Sequence, residues 1–346
     1  MARANERILA QYGQGALMPF LDGPDKHQRR CAVSSLVVAG QYGRLVIALG
    51  DPVGPPAEQA QAWANFVDVC RVRGEIPAAY QASPASLGAL AALDLSPFRI
   101  GAEAIIELAD FDLRGSKRAN LRHTIARARR DGVTFHFYPT GLSRTQEGEL
   151  APALSEIDRL WSAAAGPRLG FTIGQFDPAT LTHTAIAIAR DSTGAVLAFA
   201  TFSPTGADGG WVLDLMRRAP GGTPGALEGA LAEAAAGLRA AGATSLSLGL
   251  APLAGLDDPE ASFEERSLAW VAARVQRWYD VRGLAFFKGK FAPRWEPRYL
   301  ATAHRRDLPA LALALVALHL GSLRAGARQG LAALRPVHLW PPRGIS

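Results

Sequence analysis

Two segments of this sequence share one order of elements: an apolar strand, a loop rich in glycine and proline, and a helix. In the first segment, the strand is predicted at 44–49, the loop at 50–56 and the helix at 57–72. In the second, a strand at 211–216 leads into a Pro/Gly loop at 219–225. The repeat predicts two similar halves, and with them an α+β protein.

The second loop leads into a helix whose start carries capping signals. Thr223 is predicted as the N-cap and Pro224 as the first helical residue, with an Ala-rich helix behind them. Backbone N–H groups at such a helix start face an anion, and acyl-CoA-dependent N-acetyltransferase folds use this element to cradle a pyrophosphate. We therefore predict two tandem acetyltransferase-like domains, each a mixed sheet flanked by helices.

The chain divides into these two domains and a tail. We place an N-terminal acetyltransferase-like domain at 1–140, a C-terminal catalytic one at 141–305, and a C-terminal helix and tail at 306–346. The remaining elements predicted from hydrophobic periodicity are strands at 104–108, 133–138, 195–202 and 245–250, and helices at 117–130, 150–165 and 268–279.

The charge balance favours an anionic partner such as nucleic acid, phosphate or an acidic membrane. The formal net charge is +6, and arginine carries most of the positive charge. Cys31 and Cys70 stand far apart, and no Cys/His cluster has the spacing of a zinc site. No basic start followed by an apolar run opens the sequence, so we expect a cytoplasmic protein.

The helix predicted at 117–130 is strongly basic. Arg118, Arg122 and Arg129 fall within a narrow arc, beside an arc that carries Leu121 and other apolar residues. Arginine forks suit phosphate, and a row of them suits an RNA backbone or lipid head groups. A solvated helix face is the alternative, but such a face usually mixes charges, and acidic residues are almost absent here.

An aspartate interrupts the apolar strand at 211–216. A buried carboxylate is costly without a partner, so Asp214 needs one. Alternation places Asp214 and Met216 on one face and Arg217 on the other, unless the strand ends or bulges there. Two interpretations stay open: a structural Asp–Arg ion pair, or a catalytic or substrate-orienting carboxylate beside a phosphate-binding arginine.

Cationic and aromatic residues crowd into the segment at 286–300. Two lysines, two arginines, one glutamate and several aromatics lie there, a mixture that suits a phosphorylated or nucleotide-bearing ligand. Two prolines predict an irregular, rigid segment after a strand. A Gly/aromatic segment at 169–177 predicts a loop that lines a pocket or tunnel.

The region at 308–323 is almost wholly apolar. It is short for a membrane span, which needs roughly 20 residues. Because Arg324, Arg328 and Arg335 follow it, the pattern predicts an interfacial helix on an anionic membrane. A helix packed against its own domain is the alternative.

Five motifs follow one another along the chain. They are GDPVG at 50–54, SKRANLRHTIARARRDG at 116–132, LGFTIGQFD at 169–177, DLMRR at 214–218 and FKGKFAPRWEPRYL at 287–300. In this order they resemble the C-terminal catalytic domain of bacterial phosphatidylglycerol lysyltransferases, the multiple peptide resistance factor family. The resemblance implies two acetyltransferase-like folds that use aminoacyl-tRNA, and not acetyl-CoA, as the donor.

The sequence departs from that family's pattern in two respects. Family members commonly carry a long multi-span membrane region before this domain, and these 346 residues contain none. Gly289 stands where an acidic residue is expected between the two lysines. The second departure bears on which donor amino acid is preferred.

The resemblance implies that the chain transfers an amino acid from aminoacyl-tRNA to a lipid hydroxyl, with phosphatidylglycerol at the inner face of the cytoplasmic membrane as the expected acceptor. This ester exchange needs no metal or redox cofactor. We expect Asp214 to orient or deprotonate the acceptor hydroxyl and Arg217 to hold a phosphate. We expect Lys288 to stabilise anionic oxygens and Glu296 to pair with the donor's ammonium group. The other substrate-binding residues expected are Arg118, Arg122, Phe171, Asp177, Arg218, Lys290, Arg298 (also placed at the anionic oxygens) and Tyr299.

Two alternative functions remain open from the sequence. An acyl-CoA N-acyltransferase of the same fold would hold a pyrophosphate through the loop at 218–223, and a non-catalytic tRNA- or membrane-binding protein would form no product. The sequence also leaves open which amino acid is transferred, whether the acceptor is phosphatidylglycerol or another hydroxyl compound, and the oligomeric state.

Overall fold

Both ends of the chain contribute strands to one continuous sheet. The computed structural model describes residues 2–23, 25–165, 170–206, 208–254 and 281–321. Within them the strands are β1 His27–Arg30, β2 Leu36–Tyr42, β3 Leu45–Leu49, β4 Ile76–Ala82, β5 Ser96–Glu107, β6 Thr134–Tyr138, β7 Ala185–Arg190, β8 Val196–Pro204, β9 Trp211–Arg218, β10 Ser245–Pro252 and β11 Arg294–Thr302. Their order in the sheet is β1-β2-β3-β4-β11-β5-β10-β9-β8-β7-β6.

Helices cover both faces of this sheet. In the described residues they are α1 Ala2–Tyr12, α2 Gln59–Val72, α3 Leu87–Ala92, α4 Ala119–Arg130, α5 Arg144–Ala165, α6 Ala226–Ala240, α7 Val281–Gly289 and α8 Leu308–His319. The mixed sheet and its helices confirm the α+β class, but the prediction of a separate sheet in each half is wrong, because the 11 strands form one continuous sheet. The boundary between two domains at 140 and 141 stays a prediction.

The two central strands, β11 and β5, each lie beside strands from the other part of the chain: the late strand β11 beside the early β4, and the early strand β5 beside the late β10. The parallel pairs are β3 with β4 and β9 with β10. Strand β11 lies between β4 and β5, and β5 lies between β11 and β10, all antiparallel. Each parallel pair therefore borders a strand that comes from the other part of the chain, which makes the sheet continuous.

The helices form one layer on each face of the sheet. On the face we call the α6 face, α4, α6 and α7 pack over β5 and β7–β10, while α2 and α3 pack over β2–β4. On the opposite face, the α5 face, α5 packs over β7–β9. Helices α1 and α8 cover β2–β4 and β11 on that same face, because Leu300 packs under α8 whereas Ala301, the next residue, packs with α2.

The predicted cap of α6 is wrong. The helix begins at Ala226, and its N-cap is Gly225, which has a left-handed φ of +91°. A Cβ at Gly225 would lie 2.7 Å from the carbonyl oxygen of Thr124 and 3.1 Å from Cβ of Ala128. Glycine is needed there because α4 crosses the start of α6 too closely for a side chain.

The prediction of an irregular segment at 286–300 is wrong. These residues form the end of α7, a turn and strand β11. Pro297 is tolerated in this central strand because β4 pairs with β11 only from Tyr299 onward. One edge of β11 therefore has no ladder partner at Pro297, and proline in a strand is tolerated at such an edge.

The apolar run near the C-terminus forms α8, which ends at His319. No helix in the described ranges is long and apolar enough to cross a membrane. The predicted helix at 268–279 and the arginines at 324, 328 and 335 lie outside the described residues.

We predict that Gly225→Ala destabilises the protein more than Gly242→Ala. Both glycines have a left-handed φ, +91° and +85°, but only Gly225 has neighbours within contact distance of an added Cβ. The conformational cost of about 1–2 kcal/mol is shared, and overpacking adds about 1–3 kcal/mol at Gly225 alone. Denaturant unfolding measures both. Equal losses for the two variants would contradict the close crossing of α4 and α6.

Candidate functional site

Strands β9 and β10 pair over a short stretch and then separate. The parallel ladder joins Leu246 to Trp211 and Ser247 to Val212, although each strand has eight residues. The other parallel pair, β3 with β4, stays in register along all of Leu45–Leu49. The separation opens a gap at the carboxyl ends of β9 and β10, the end of a sheet where ligands bind in open α/β folds.

Asp214 lies at this gap, on a bulge of β9. Across the ladder to β8, Leu215 faces Thr201 while Leu213 faces Phe202, so Asp214 is the extra residue. The bulge was the exception allowed for in the alternation pattern. Leu213 packs on the α6 face and Leu215 on the α5 face. Thr201 donates to Oδ2 of Asp214 at 3.4 Å, which places the carboxylate on the α5 face.

The surroundings of Asp214 favour its neutral form. Burial raises the pKa of Asp214 to about 6, against the opposing effects of the Thr201 hydrogen bond and the Arg217 charge. Gly174 covers the carboxylate so closely that a Cβ there would lie 2.2 Å from Oδ1. A carboxylate that titrates near neutral pH suits general base catalysis.

Arg217 forms a buried ion pair with a residue that the sequence analysis did not single out. Its Nε donates to Oδ1 of Asp158 at 2.7 Å, and both side chains are 8% exposed. Its guanidinium carbon lies 3.8 Å from the centre of the Trp161 ring. Asp158 and Trp161 both belong to α5, so Arg217 fastens β9 to α5 on the same face as Asp214.

A second buried carboxylate, Glu103, lies at the centre of the sheet. It is 2% exposed and accepts a 2.5 Å hydrogen bond from Oγ of Ser247. Arg298 donates to it through Nε at 2.8 Å and through Nη2. Because the next residue, Ala104, packs on the α6 face, Glu103 points to the α5 face. Three neighbouring strands, β10, β5 and β11, therefore meet in one polar cluster.

Further charges extend this cluster along β11. Nη1 of Arg298 lies 2.7 Å from Oε1 of Glu296, and Arg294 donates to the other oxygen at 2.8 Å. Burial acts to raise the pKa of Glu296, but the two guanidinium groups outweigh it and hold the pKa below its ordinary value. The charge of Asp51, in the GDPVG motif, also stabilises the cationic form of Arg298.

Lys288 reaches the cluster from α7. Its Nζ donates to the carbonyl oxygens of Gly249 at 3.1 Å and Leu250 at 2.9 Å. These carbonyls lie at a bulge of β10, where Gly249 has a φ of +77°. Burial lowers the pKa of Lys288 to about 7, and the charge of Glu103 opposes that shift.

The loop predicted to line a pocket connects α8 with Asp214. The backbone N of Gly170 donates to the carbonyl oxygen of His319 at 2.6 Å, and Oγ1 of Thr172 lies 2.9 Å from Nε2 of His319. Phe171 is 4% exposed, with a φ of +63°, and packs with α1 and β2. Gly174, farther along the loop, covers Asp214. Leu169 lies outside the described residues.

The structure places two predicted residues at the margins of this site. Asp177 is exposed, and its Oδ1 accepts from the backbone N of Ala179 at 2.9 Å, which caps a short 3₁₀ turn. Tyr299 is half-buried beside Arg298, where the register between β11 and β5 shifts.

Two predicted arginines lie at the start of α4, away from Asp214. Nε of Arg118 donates to the carbonyl oxygen of Phe291 at 3.1 Å. Arg122 donates to the carbonyl oxygens of Leu113 at 2.7 Å and Gly115 at 3.1 Å. These bonds fasten the segment before α4 and leave the outward-facing arginines of the helix exposed: Arg127, Arg129 and Arg130.

Two other predicted cations lie near α6. Nζ of Lys290 is 2.8 Å from Oε1 of Glu228, which is 6% exposed. Burial lowers the pKa of Arg218, and the charge of Glu228 opposes that shift. The predicted residues thus form two groups. Those on the α5 face or reaching its cluster are Asp214, Arg217, Glu296, Arg298, Lys288 and Phe171, and those near α4 and α6 are Arg118, Arg122, Arg218 and Lys290.

Sequence reasoning missed Glu103, Ser247 and Asp158. For Glu103 a signal was present, because it interrupts the apolar strand GAEAIIEL as Asp214 interrupts its own strand. Ser247 and Asp158 carry no such signal, since a serine in a strand and an aspartate in a helix are common. In the part of the chain that the structure describes, no cluster of three His, Cys, Asp or Glu residues can hold a metal ion.

Comparison with known proteins gives one consistent family. The family model described as "Phosphatidylglycerol lysyltransferase, C-terminal" matches residues 7–302. A phosphatidylglycerol lysyltransferase of Bacillus subtilis is 29% identical over 276 residues, which cover 80% of this chain and 32% of that protein. The chain therefore spans about a third of the length of this curated relative.

Solved structures agree with that match. The C-terminal domain of an Agrobacterium fabrum protein has a TM-score of 0.78 and 29% identity, covering 93% of this chain and 98% of that chain. L-PGS of Bacillus licheniformis has a TM-score of 0.76 and 26% identity, with 92% and 96% covered. FemX, at 11% identity, 90% and 98% coverage and a TM-score of 0.54, shares the fold. The chain belongs to the phosphatidylglycerol lysyltransferase C-terminal domain family.

Proposed function

We propose that this chain transfers an amino acid from aminoacyl-tRNA to a hydroxyl of phosphatidylglycerol. The observation that carries the proposal is Asp214, a half-buried carboxylate at the gap between β9 and β10, whose pKa is raised by desolvation. Strand β10, on the other side of that gap, carries Ser247. The Ser247 hydroxyl donates to Glu103, which also accepts from Arg298. Acyl transfer to a hydroxyl requires a base and a group that stabilises the oxyanion, and the proposal takes the base from β9 and the cation, Arg298, from β11.

The reaction is an ester exchange. The lipid hydroxyl attacks the carbonyl carbon of the aminoacyl ester, and a new carbon–oxygen bond forms as the bond to the tRNA 3′-terminal ribose breaks. The proton of the lipid hydroxyl ends on the ribose oxygen. We assign removal and return of this proton to Asp214, because its raised pKa lets it exchange a proton near neutral pH.

Cations near Glu103 complete the proposed chemistry. We assign stabilisation of the tetrahedral oxyanion to Lys288 and Arg298, and pairing with the donor's ammonium group to Glu296. Glu103 would position Arg298 through two hydrogen bonds. The phosphate-binding role of Arg217 stays a prediction. The Nε of Arg217 already donates to Asp158.

The two faces of the sheet suggest how two large substrates avoid each other. The exposed arginines of α4 lie on the α6 face and suit the phosphates of a tRNA acceptor stem. Asp214 and Arg298 lie on the α5 face, where we place the lipid. Lys288 belongs to α7 on the α6 face, and its Nζ reaches the β10 bulge. We therefore place the reacting ester between the tRNA on the α6 face and the lipid on the α5 face.

The geometry disfavours the acyl-CoA alternative. A pyrophosphate at the start of α6 would need free N–H groups there, but α4 packs directly on Gly225. The carboxylate of Glu228, buried in the first turn of α6, already supplies the negative charge that a helix start favours. Transfer assays separate the remaining alternative, a non-catalytic binder, from an enzyme.

We predict that the purified chain labels phosphatidylglycerol vesicles when given tRNA charged with radioactive amino acids. The label should enter the lipid phase, and pretreatment with RNase should abolish it. Asp214→Asn should lower the rate by about 10²-fold or more because the base is lost, whereas Asp68→Asn, at an exposed carboxylate of α2, should not. No labelled lipid with any amino acid, from folded protein that binds charged tRNA, would contradict the proposal.

We predict a narrow bell-shaped dependence of the transfer rate on pH. The rate should rise as Asp214, whose pKa is raised to about 6, loses its proton and becomes a base. It should fall as Lys288, whose pKa is lowered to about 7, loses the proton that makes it a cation. Single-turnover rates, corrected for spontaneous ester hydrolysis, provide the measurement. A profile flat between pH 5 and about 8 would refute both assignments.

A further inference from the structure

Helix α8 has one buried side and one exposed side, and both are apolar. Leu311 and Ala314 are fully buried against β3, β4 and β11. Leu313 is 60% exposed and Val316 is 40% exposed. Together with Pro309, they follow the spacing of one helical stripe, which we call the outer strip.

Positive charge lies at one end of the outer strip. Arg305 and Arg306, in the turn before α8, are exposed, as is His304. The helix itself, LPALALALVALH, has no acidic residue. Its N-cap is Asp307, which together with the two arginines still leaves a net positive charge. An apolar strip with cations at its end fits an anionic lipid surface, where the apolar residues enter the acyl boundary and the guanidinium groups meet phosphates.

The helix lies beside the proposed reaction site. Its buried side contacts Leu300, which is two residues from Arg298 on the same face of β11. At its other end, His319 bonds to the loop that begins at Gly170, and Gly174 of that loop covers Asp214. A lipid surface that contacts the outer strip would therefore lie next to the α5 face, where the acceptor has to enter.

We propose that the outer strip of α8 docks on an anionic lipid bilayer. A helix of 12 residues is about 18 Å long, against a hydrocarbon core of about 30 Å, so it lies along the surface and does not cross it. Leu313 and Val316 enter the boundary between head groups and acyl chains, while Arg305 and Arg306 contact lipid phosphates. That the bound lipid is also the acceptor rests on the proposed function; the docking itself does not.

Vesicle flotation with the full chain tests the docking. The wild-type protein should float with vesicles that contain phosphatidylglycerol and should bind pure phosphatidylcholine vesicles more weakly. Leu313→Gln/Val316→Gln should lower the partition coefficient about tenfold or more, because apolar burial is lost. The matched control is Val33→Gln/Val72→Gln, two valines of 83% and 89% exposure elsewhere on the protein, which should float as the wild type does.

A second variant tests the charge. Arg305→Gln/Arg306→Gln should lose the preference for phosphatidylglycerol vesicles and keep the weaker binding to neutral ones. Thermal unfolding checks that all variants fold. Equal flotation of the wild type and the Leu313/Val316 variant would overturn the proposal. So would self-association of the wild type that the variant abolishes without lipid, because a second copy would then occupy the strip.

Transfer to short-chain phosphatidylglycerol dispersed in detergent separates this proposal from the proposed function. The Leu313/Val316 variant should keep wild-type transfer to the dispersed lipid and lose most transfer to vesicles. Absence of transfer to dispersed lipid by the wild type would contradict the proposed function and leave the docking intact. Equal loss of transfer to both lipid forms in the variant would overturn the docking.

Discussion

The ion pair between Glu103 and Arg298 joins the two central strands of the sheet. Glu103 lies on β5 and Arg298 on β11. Neither strand pairs with the strand that precedes or follows it along the chain. A carboxylate that is 2% exposed is tolerated only with a cation and further hydrogen bonds, and Ser247 on β10 supplies one of them. The pair thus requires β10, β5 and β11 to lie side by side, and it places Arg298 on the face that carries Asp214.

Bulges and a strand separation make the middle of the sheet asymmetric. Gly249 lies in a bulge of β10 and offers its carbonyl oxygen to Lys288, while Asp214 forms the bulge of β9. The pair β9 and β10 separates beyond Ser247, but β3 and β4 stay paired throughout β3. The gap therefore lies beside the two bulges, where burial shifts the pKa of Asp214 up to about 6 and the pKa of Lys288 down to about 7.

Local pattern predicted much of this structure, and long-range pairing explains what it missed. The two strand–loop–helix units follow from residues close in sequence. The bulge at Asp214 was allowed for only as an exception to the alternation. The central placement of β5 and β11 does not follow from residues close in sequence, because it depends on which strands pair across the sheet. The partner of Arg217 was missed for the same reason: Asp158 lies on α5, distant in sequence. Gly225 became the cap of α6 because α4 crosses there, a contact that no capping signal reveals.

We infer that the Glu103–Arg298 pair organises both the sheet and the proposed site. A double-mutant cycle with Glu103→Gln, Arg298→Met and the double variant tests it, with unfolding free energy and transfer rate measured on each protein. We expect coupling in both quantities: each single variant should lose roughly 3–5 kcal/mol of stability, and the double variant should lose less than their sum. Additive losses in stability and in rate would contradict it, because the two residues would then act independently.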